Sequence, residues 1–122
     1  MSGLGKIENR ITGKIAEEAA GLYLENLGYR VIMRNFSTRY GEIDLICADE
    51  KITVFVEVKA KKGLKFGTPE EMFTRYKYEK VKRMAVVYLK GQEVPCRIDM
   101  VAVEMGENQR VKSMRYYKNV VF

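Results

Sequence analysis

Histidine is absent from this chain of 122 residues, and its absence excludes several classes of enzyme. Ser-His-Asp and Cys-His nucleophile systems need an imidazole base, and His-based nucleases and most zinc hydrolases need a histidine at the site. Any hydrolytic chemistry in this protein must therefore rest on carboxylates and lysine.

Cysteine and long apolar runs are also scarce. Cys47 and Cys96 are the only cysteines, and without a CxxC pair we expect two buried thiols, neither a disulfide nor a zinc site. No run approaches the roughly 18 apolar residues that span a bilayer, and residues 1–10 lack the apolar stretch of a signal peptide. We therefore expect a cytoplasmic protein with no membrane partner.

The composition is that of a folded protein, with 47% apolar and 31% charged residues. The length favours one domain over residues 1–122, because two domains would each be too small for a good core. The net charge is +6, but residues 59–90 hold 10 basic and 3 acidic side chains, whereas residues 1–58 hold 7 and 9. A basic tract after a cluster of carboxylates would suit a protein that holds a polyanion near a metal site. A solvated lysine-rich surface is the alternative explanation.

Hydrophobic periodicity predicts the elements of the first half. Apolar residues at helical spacing indicate a helix over Ile11–Leu27, which ends before a possible cap at Gly28. Alternating and β-branched residues then indicate three strands. These strands are Tyr29–Phe36, Glu42–Ala48 and Ile52–Ala60, with turns at Ser37–Gly41 and Asp49–Lys51.

The second half begins with a loop at Gly63–Gly67, followed by a helix to about Lys90. Thr68 and Thr74 are both possible caps for this helix. Its predicted buried stripe consists of Tyr76, Val81, Met84, Ala85 and Tyr88, and Arg97–Glu104 and Lys112–Phe122 are the closing strands. The order α-β-β-β-α-β-β predicts an α/β fold, with a mixed sheet flanked by helices.

Two charged residues lie within the apolar third strand. Because side chains alternate along a strand, Glu57 and Lys59 share a face, roughly 6.5–7 Å apart. A two-residue turn at Glu50-Lys51 would place Asp44 opposite Glu57, and a four-residue loop or a turn at Asp49-Glu50 would still keep it on the same face. Only an odd slip or a bulge would separate them. Paired carboxylates of this kind suit magnesium, which prefers oxygen ligands. A cross-strand salt bridge is the simpler alternative.

Sequence motifs around this trio resemble those of a known family. Gly41-Glu42-Ile43-Asp44-Leu45-Ile46 and Val54-Phe55-Val56-Glu57-Val58-Lys59 resemble the YraN family of predicted endonucleases. That family is similar to archaeal Holliday junction resolvases and belongs to the PD-(D/E)xK nuclease superfamily. The likeness extends over about Gly13–Val103. It includes Gly13-x-x-Ala16-Glu17, Gly28-Tyr29, Arg34-Asn35, Gly67-Thr68-Pro69, Lys77, Tyr88-Leu89 and Arg97-Ile98-Asp99.

The resemblance implies a restriction-endonuclease-like fold and four catalytic residues, Glu17, Asp44, Glu57 and Lys59. It also implies that Asp44, Glu57 and the Val58 carbonyl bind Mg²⁺ or Mn²⁺, and that Glu17 supports the metal. By chemistry alone the neighbouring Glu18 would be an equal candidate, so only the family pattern favours Glu17.

Other residues are assigned supporting roles. Glu42 is a possible support for the site, and Asp99 is expected to be structural. Ile43 stands at the proline position of the superfamily motif. Lys61 stands where the family is expected to carry arginine, which keeps the positive charge but loses bidentate phosphate contact. The residues expected to contact nucleic acid are Lys61, Lys62, Lys77 and Lys80.

These expectations together predict a metal-dependent endonuclease acting on DNA, including branched or recombination intermediates. A resolvase-like role would favour a homodimer, because two symmetric cuts need two sites. One alternative is a nucleic-acid-binding module that kept the fold without turnover. Another is a metabolic or assembly protein whose carboxylates serve only structure, which predicts no affinity for DNA at low salt.

Overall fold

The computed structural model describes residues 2–122 and has the predicted order of helices and strands. Two short 3₁₀ turns, Glu70–Met72 and Glu107–Gln109, are additional elements. The helices are α1 (Ser2–Asn26) and α2 (Arg75–Tyr88), and the strands are β1 (Arg30–Thr38), β2 (Gly41–Asp49), β3 (Ile52–Lys62), β4 (Cys96–Met105) and β5 (Val111–Tyr117).

The five strands form one mixed sheet in the order β1-β2-β3-β4-β5. All neighbours are antiparallel except β3 and β4, which run parallel. A parallel pair needs a long crossover, and residues 63–95, which contain α2, supply it. Neither of the described helices is both long enough and apolar enough to span a bilayer.

Each face of the sheet is covered by one helix. On one face, Ala16, Ala20 and Leu24 of α1 are fully buried against sheet residues that include Leu45 and Val56. Their four-residue spacing places all three on one side of the helix, and the two alanines allow close approach to the sheet. On the other face, α2 buries its own apolar side against a second cluster that includes Ile46, Phe55 and Met100.

The helix boundaries differ from the sequence prediction. Helix α1 begins at Ser2, well before Ile11. The Thr68 cap does form, because Glu71 N donates to Thr68 Oγ1 over 3.3 Å, but it opens only a 3₁₀ turn. The chain leaves helical geometry at Phe73, and Thr74 then caps α2 by accepting from Lys77 N over 3.3 Å.

The predicted stripe of α2 is wrong at Tyr76, which is exposed, whereas Tyr78 is buried. The reason is the helical period: Tyr78 lies three residues before the buried Val81, and Tyr76 lies five before it, on a different side of the helix. The prediction of a buried Cys96 is also wrong. Cys96 is exposed because it opens β4 directly after an exposed loop; Cys47 is buried, and both thiols are free.

The last strand ends earlier than predicted, at Tyr117 instead of Phe122. The chain turns back beyond it, and Val120 N donates to Ile98 O over 2.8 Å. This return packs the end of the chain against the α2 face of the sheet.

A buried polar network joins the strands at the end of the sheet where β4 begins. Asp99 is fully buried and accepts hydrogen bonds from Arg97 Nε over 3.0 Å, from Asn119 N over 2.8 Å and from the Tyr116 hydroxyl. Arg97 also donates to Asp49 over 3.2 Å and to the Tyr29 hydroxyl over 2.8 Å. These contacts agree with the structural role expected for Asp99.

Replacing Arg97 with methionine should therefore destabilise the protein strongly. Arg97→Met would leave the Asp99 carboxylate buried without its cation, which costs roughly 3–5 kcal/mol. Urea unfolding would measure the loss. Lys82→Met is the control, because Lys82 forms an exposed ion pair with Glu79 that contributes about 0–1 kcal/mol. Equal effects of the two changes would contradict a stabilising role for the network.

Candidate active site

The candidate site lies where β2 and β3 separate. The two strands pair from Asp49 opposite Ile52 to Leu45 opposite Val56, the register predicted for a two-residue turn. Beyond Leu45 this pairing stops, whereas β3 continues along β4 to its end. The separation leaves an opening between the strands next to Asp44.

Asp44 occupies this opening with its side chain. Its Oδ2 accepts a hydrogen bond of 2.8 Å from the Val58 backbone N–H. This N–H lies beyond the last paired residues of β2 and β3, so the Asp44 side chain takes the place of a backbone partner. Because the N–H and C=O of one strand residue point to the same side, the Val58 carbonyl is directed towards the same opening. A carboxylate and a backbone carbonyl are thus available together, as expected for a metal site.

The structure also brings Glu57 and Lys59 to this place. Glu57 is only 7% exposed and lies close enough to Asp44 to raise the pKa of that carboxyl group. The Nζ of Lys59 lies 3.7 Å from Glu57 Oε2. The predicted proximity of Asp44, Glu57 and Lys59 is therefore present, as the alternation of β3 and the tight turn require.

The pKa of Asp44 is raised well above the ordinary aspartate value of 3.8. Burial is the largest cause, and hydrogen bonding to Glu57 and the charge of Glu57 add to it. The Val58 N–H and Lys59 oppose the shift. The negative charges of Asp44 and Glu57 disfavour one another. A cation bound between them, in addition to Lys59, would therefore favour the ionised form of both carboxylates.

Glu17 approaches the site from α1. Oxygens of the Glu17, Glu42 and Asp44 carboxylates lie within 4.8 Å of one another. Burial raises the pKa of Glu17, as do the charges of Asp44 and Glu42, although a hydrogen bond from Asn35 opposes them. Glu18 is exposed, so the fold agrees with the family pattern that selects Glu17.

Asn35 is a component of the site to which the sequence assigned no role, although the Arg34-Asn35 pair belongs to the family motifs. Its Nδ2 donates to Glu17 Oε1 over 2.9 Å and to Glu42 Oε1 over 3.0 Å, and so joins α1 to the β1–β2 hairpin. Ser37 Oγ holds the other Glu42 oxygen over 3.2 Å. Asn35 has a φ of 53°, a left-handed conformation in which asparagine is enriched. Its signals in the sequence were its place in the Arg34-Asn35 motif and its polarity within a predicted strand.

The donors of this site fit a hard divalent cation. Asp44 belongs both to the triad with Glu17 and Glu42 and to the contact with Glu57. Every candidate ligand offers oxygen, which is the donor that Mg²⁺ and Mn²⁺ accept. Burial, and after it the neighbouring carboxyl groups, raise the pKa values of Glu17 and Asp44, and a bound cation would favour their ionised forms.

Basic residues lie on both sides of Lys59. Lys77 and Lys80 line a cavity of about 160 Å³ together with Glu42 and Glu57. The neighbouring charge of Lys59, followed by burial, lowers the pKa of Lys77. Lys61 and Lys62 line a second cavity, of about 490 Å³, with Lys59 and the N-terminal half of α1. All four predicted phosphate-contacting lysines therefore lie around the candidate site.

Residues 16–103 match the family model described as Uncharacterised protein family UPF0102. The chain belongs to the UPF0102 family. The matched span includes every predicted site residue, and the expected YraN family membership is thereby confirmed.

Curated UPF0102 relatives cover most of the chain. The UPF0102 protein of Symbiobacterium thermophilum is 43% identical over 107 residues, which is 85% of this chain and 91% of the relative. That of Syntrophomonas wolfei is 41% identical over 83% of this chain and 92% of its own length. That of Pelotomaculum thermopropionicum is 37% identical over 90% and 94%.

The raised pKa of Asp44 predicts how the stability of this UPF0102 chain depends on pH when no metal is added. Above pH 3.8 the unfolded chain loses a proton that the folded chain keeps, so stability should fall with rising pH until the folded pKa is passed. Asp44→Asn removes this titration, and the amide can still accept from Val58 N and donate to Glu57.

We therefore expect Asp44→Asn to melt at a higher temperature than the parent at pH 8 in EDTA, with a flatter pH profile. Thermal unfolding followed by circular dichroism across pH 4 to 9 would measure both. Glu50→Gln, in the exposed β2–β3 turn, is the control and should keep the parent profile. A parent-like profile for Asp44→Asn would contradict the shift.

Proposed function

We propose that this UPF0102 chain is a metal-dependent endonuclease that hydrolyses phosphodiester bonds in DNA. The observation that carries the proposal is the meeting of Asp44, Glu57 and Lys59 at the opening between β2 and β3, with Glu17 reaching the same place from α1. The mixed sheet with one helix on each face is consistent with the restriction-endonuclease-like fold that the family resemblance implies.

The carboxylates have the role of holding a cation. Asp44, Glu57 and the Val58 carbonyl would bind Mg²⁺ or Mn²⁺, and Glu17 would complete or support the set. A bound ion of this kind lowers the pKa of water and offsets charge that develops on the phosphate. Asn35 would hold Glu17 and Glu42 in position, because its amide donates to both.

Lys59 has a separate role in the chemical step. Its ammonium lies beside Glu57 and borders the cavity that also contains Lys61 and Lys62. From this position it would orient or deprotonate the attacking water and stabilise negative charge in the transition state. Lys61, Lys62, Lys77 and Lys80 would hold backbone phosphates on either side without reading base sequence.

A nucleic-acid-binding module without turnover is the second candidate. It is favoured by the contacts that the site already makes, since Lys59 pairs with Glu57 and the Val58 N–H satisfies Asp44. Under this alternative the same lysines would bind DNA, but no metal would be needed. A cytoplasmic location and a homodimer stay predictions under either function.

Mutation of the trio separates catalysis from metal binding. Lys59→Ala should reduce turnover by about two to four orders of magnitude, as for loss of one acid-base or electrostatic group, and should leave metal affinity unchanged. Glu57→Ala removes a ligand, so turnover and metal affinity should fall together. Plasmid nicking in Mg²⁺, Mn²⁺ or EDTA and calorimetric metal titration would measure the two properties.

Lys51→Ala is the control for this experiment, because Lys51 is an exposed lysine in the turn between the same two strands. It should leave both properties at the parent level. Cleavage by Lys59→Ala at the parent rate, or normal metal binding by Glu57→Ala, would reject the proposed mechanism. DNA binding without any metal-dependent cleavage by the parent would select the binding module.

The positions of Lys77 and Lys80 predict the salt dependence of DNA binding. Log affinity falls as log salt concentration rises, and each lost phosphate contact makes this slope less steep by about 0.7 to 0.9. The double change Lys77→Gln and Lys80→Gln should therefore reduce the slope by about 1.5 in EDTA. Lys51→Gln with Lys118→Gln, two exposed lysines away from the site, is the matched control. Equal slopes for the two double variants would show that α2 does not face the DNA.

A further inference from the structure

Two exposed aromatic rings lie beside the proposed active site. Tyr76, on the first turn of α2, is 68% exposed, and Tyr40, in the turn between β1 and β2, is 55% exposed. Neither ring belongs to the two hydrophobic clusters of the described residues, whereas the neighbouring Tyr78 does. The two tyrosines are therefore surface features that packing does not explain.

Each ring is paired with a cation. Lys80 Nζ lies 5.5 Å from the centre of the Tyr76 ring. The Arg39 guanidinium lies 4.9 Å from the centre of the Tyr40 ring, and its Nη2 donates to the Tyr40 hydroxyl over 2.7 Å. Such pairs orient the rings and place positive charge next to them.

The Tyr76–Lys80 pair borders the candidate site and approaches the β1–β2 turn through Lys80. Lys80 Cε lies 3.7 Å from where a Cβ on Gly41 would lie, so the lysine side chain crosses to the turn that contains Tyr40. Tyr76 directly precedes Lys77, which lines a cavity with Glu57 and Lys80. Tyr40 and Tyr76 each directly precede a residue that lines this cavity, Gly41 and Lys77, so the backbone of both tyrosines lies at its edge.

A similar pair lies on the loop that follows β3. Phe66 is 83% exposed, and Lys65 Nζ lies 5.6 Å from the centre of its ring. Lys61 Nζ contacts Phe66 O over 3.4 Å, which connects this loop to the strand that carries Lys59. Exposed rings accompanied by cations thus occur at both ends of the basic region around Lys59.

This combination of rings and cations selects among possible forms of DNA. In an uninterrupted duplex the faces of the bases are stacked on one another, so they are not accessible to a protein ring. An unpaired base has a free face, and proteins that bind single strands combine aromatic stacking with a basic groove. A protein partner would cover the rings as well, but the cations beside them and the net charge of +6 favour a polyanion.

We propose that Tyr40 and Tyr76 stack against unpaired bases next to the phosphodiester that is cleaved. The substrate is then DNA with single-stranded nucleotides at the cut, as in a flap, a gap or a fork. This inference rests on the proposed nuclease function and adds the class of substrate to it.

Binding measurements in EDTA test the inference without cleavage. Fluorescence anisotropy would compare a labelled duplex with the same duplex carrying a single-stranded gap. The parent should prefer the gapped DNA. Tyr76→Leu should weaken binding to gapped DNA by about 5- to 150-fold, the range for loss of one stacked base, and leave duplex binding unchanged.

Two variants control for size and for surface hydrophobicity. Tyr76→Phe keeps the ring and should keep the preference for gapped DNA, whereas leucine keeps only an apolar side chain. Leu22→Ala removes an exposed apolar side chain on α1 and should have no effect on either DNA. Because Tyr76 is exposed and leucine is a good helix former, the variant should fold, which circular dichroism would verify.

The possible outcomes separate the two proposals. If the parent cleaves DNA with metal but binds duplex and gapped DNA equally, or if Tyr76→Leu weakens both equally, the stacking inference is wrong and the nuclease proposal stands. If the parent neither binds nor cleaves any of these DNAs, both fail. If the parent is a dimer in light scattering and Tyr76→Leu is a monomer that keeps the preference for gapped DNA, the rings contact a second copy of the chain and the stacking inference is wrong.

Discussion

The hydrogen bond from the Val58 N–H to the Asp44 carboxylate is the contact on which the candidate site depends. It replaces strand pairing at the point where β2 leaves β3, so the sheet can open without an unsatisfied amide. The opening gives Glu57 and Lys59 access to a shared space while both remain on a well-paired strand. Both side chains are thereby held by a rigid strand and not by a loop.

The same opening gathers acidic groups that work against the stability of the metal-free fold. Burial and neighbouring carboxylates raise the pKa values of Glu17 and Asp44, so part of the folding free energy is lost when these groups ionise. Stabilising polar contacts lie elsewhere, above all around the buried Asp99 and its partner Arg97. This separation lets the candidate site carry unfavourable charge while other parts of the sheet maintain the fold.

Basic and aromatic side chains complete the surroundings of the carboxylates. Lys59 is the residue common to both basic groups, because it borders the cavity with Lys61 and its charge acts on Lys77. The proposed nuclease function explains these lysines as phosphate contacts. The exposed rings of Tyr40 and Tyr76 need a further explanation, and unpaired bases of the same DNA provide one that requires no separate partner.

The sequence by itself determined the order of elements and the shared face of Asp44, Glu57 and Lys59, because strand alternation and a short even-numbered turn are local constraints. Only the tertiary structure decided how Asn35 joins Glu17 to Glu42, since that contact depends on how α1 lies across the sheet. It also placed Tyr76 on the surface. The periodicity of α2 defines its buried side only once the first residue of the helix is known. The chain leaves helical geometry at Phe73, so α2 begins at Arg75, and this break depends on how the surrounding chain packs.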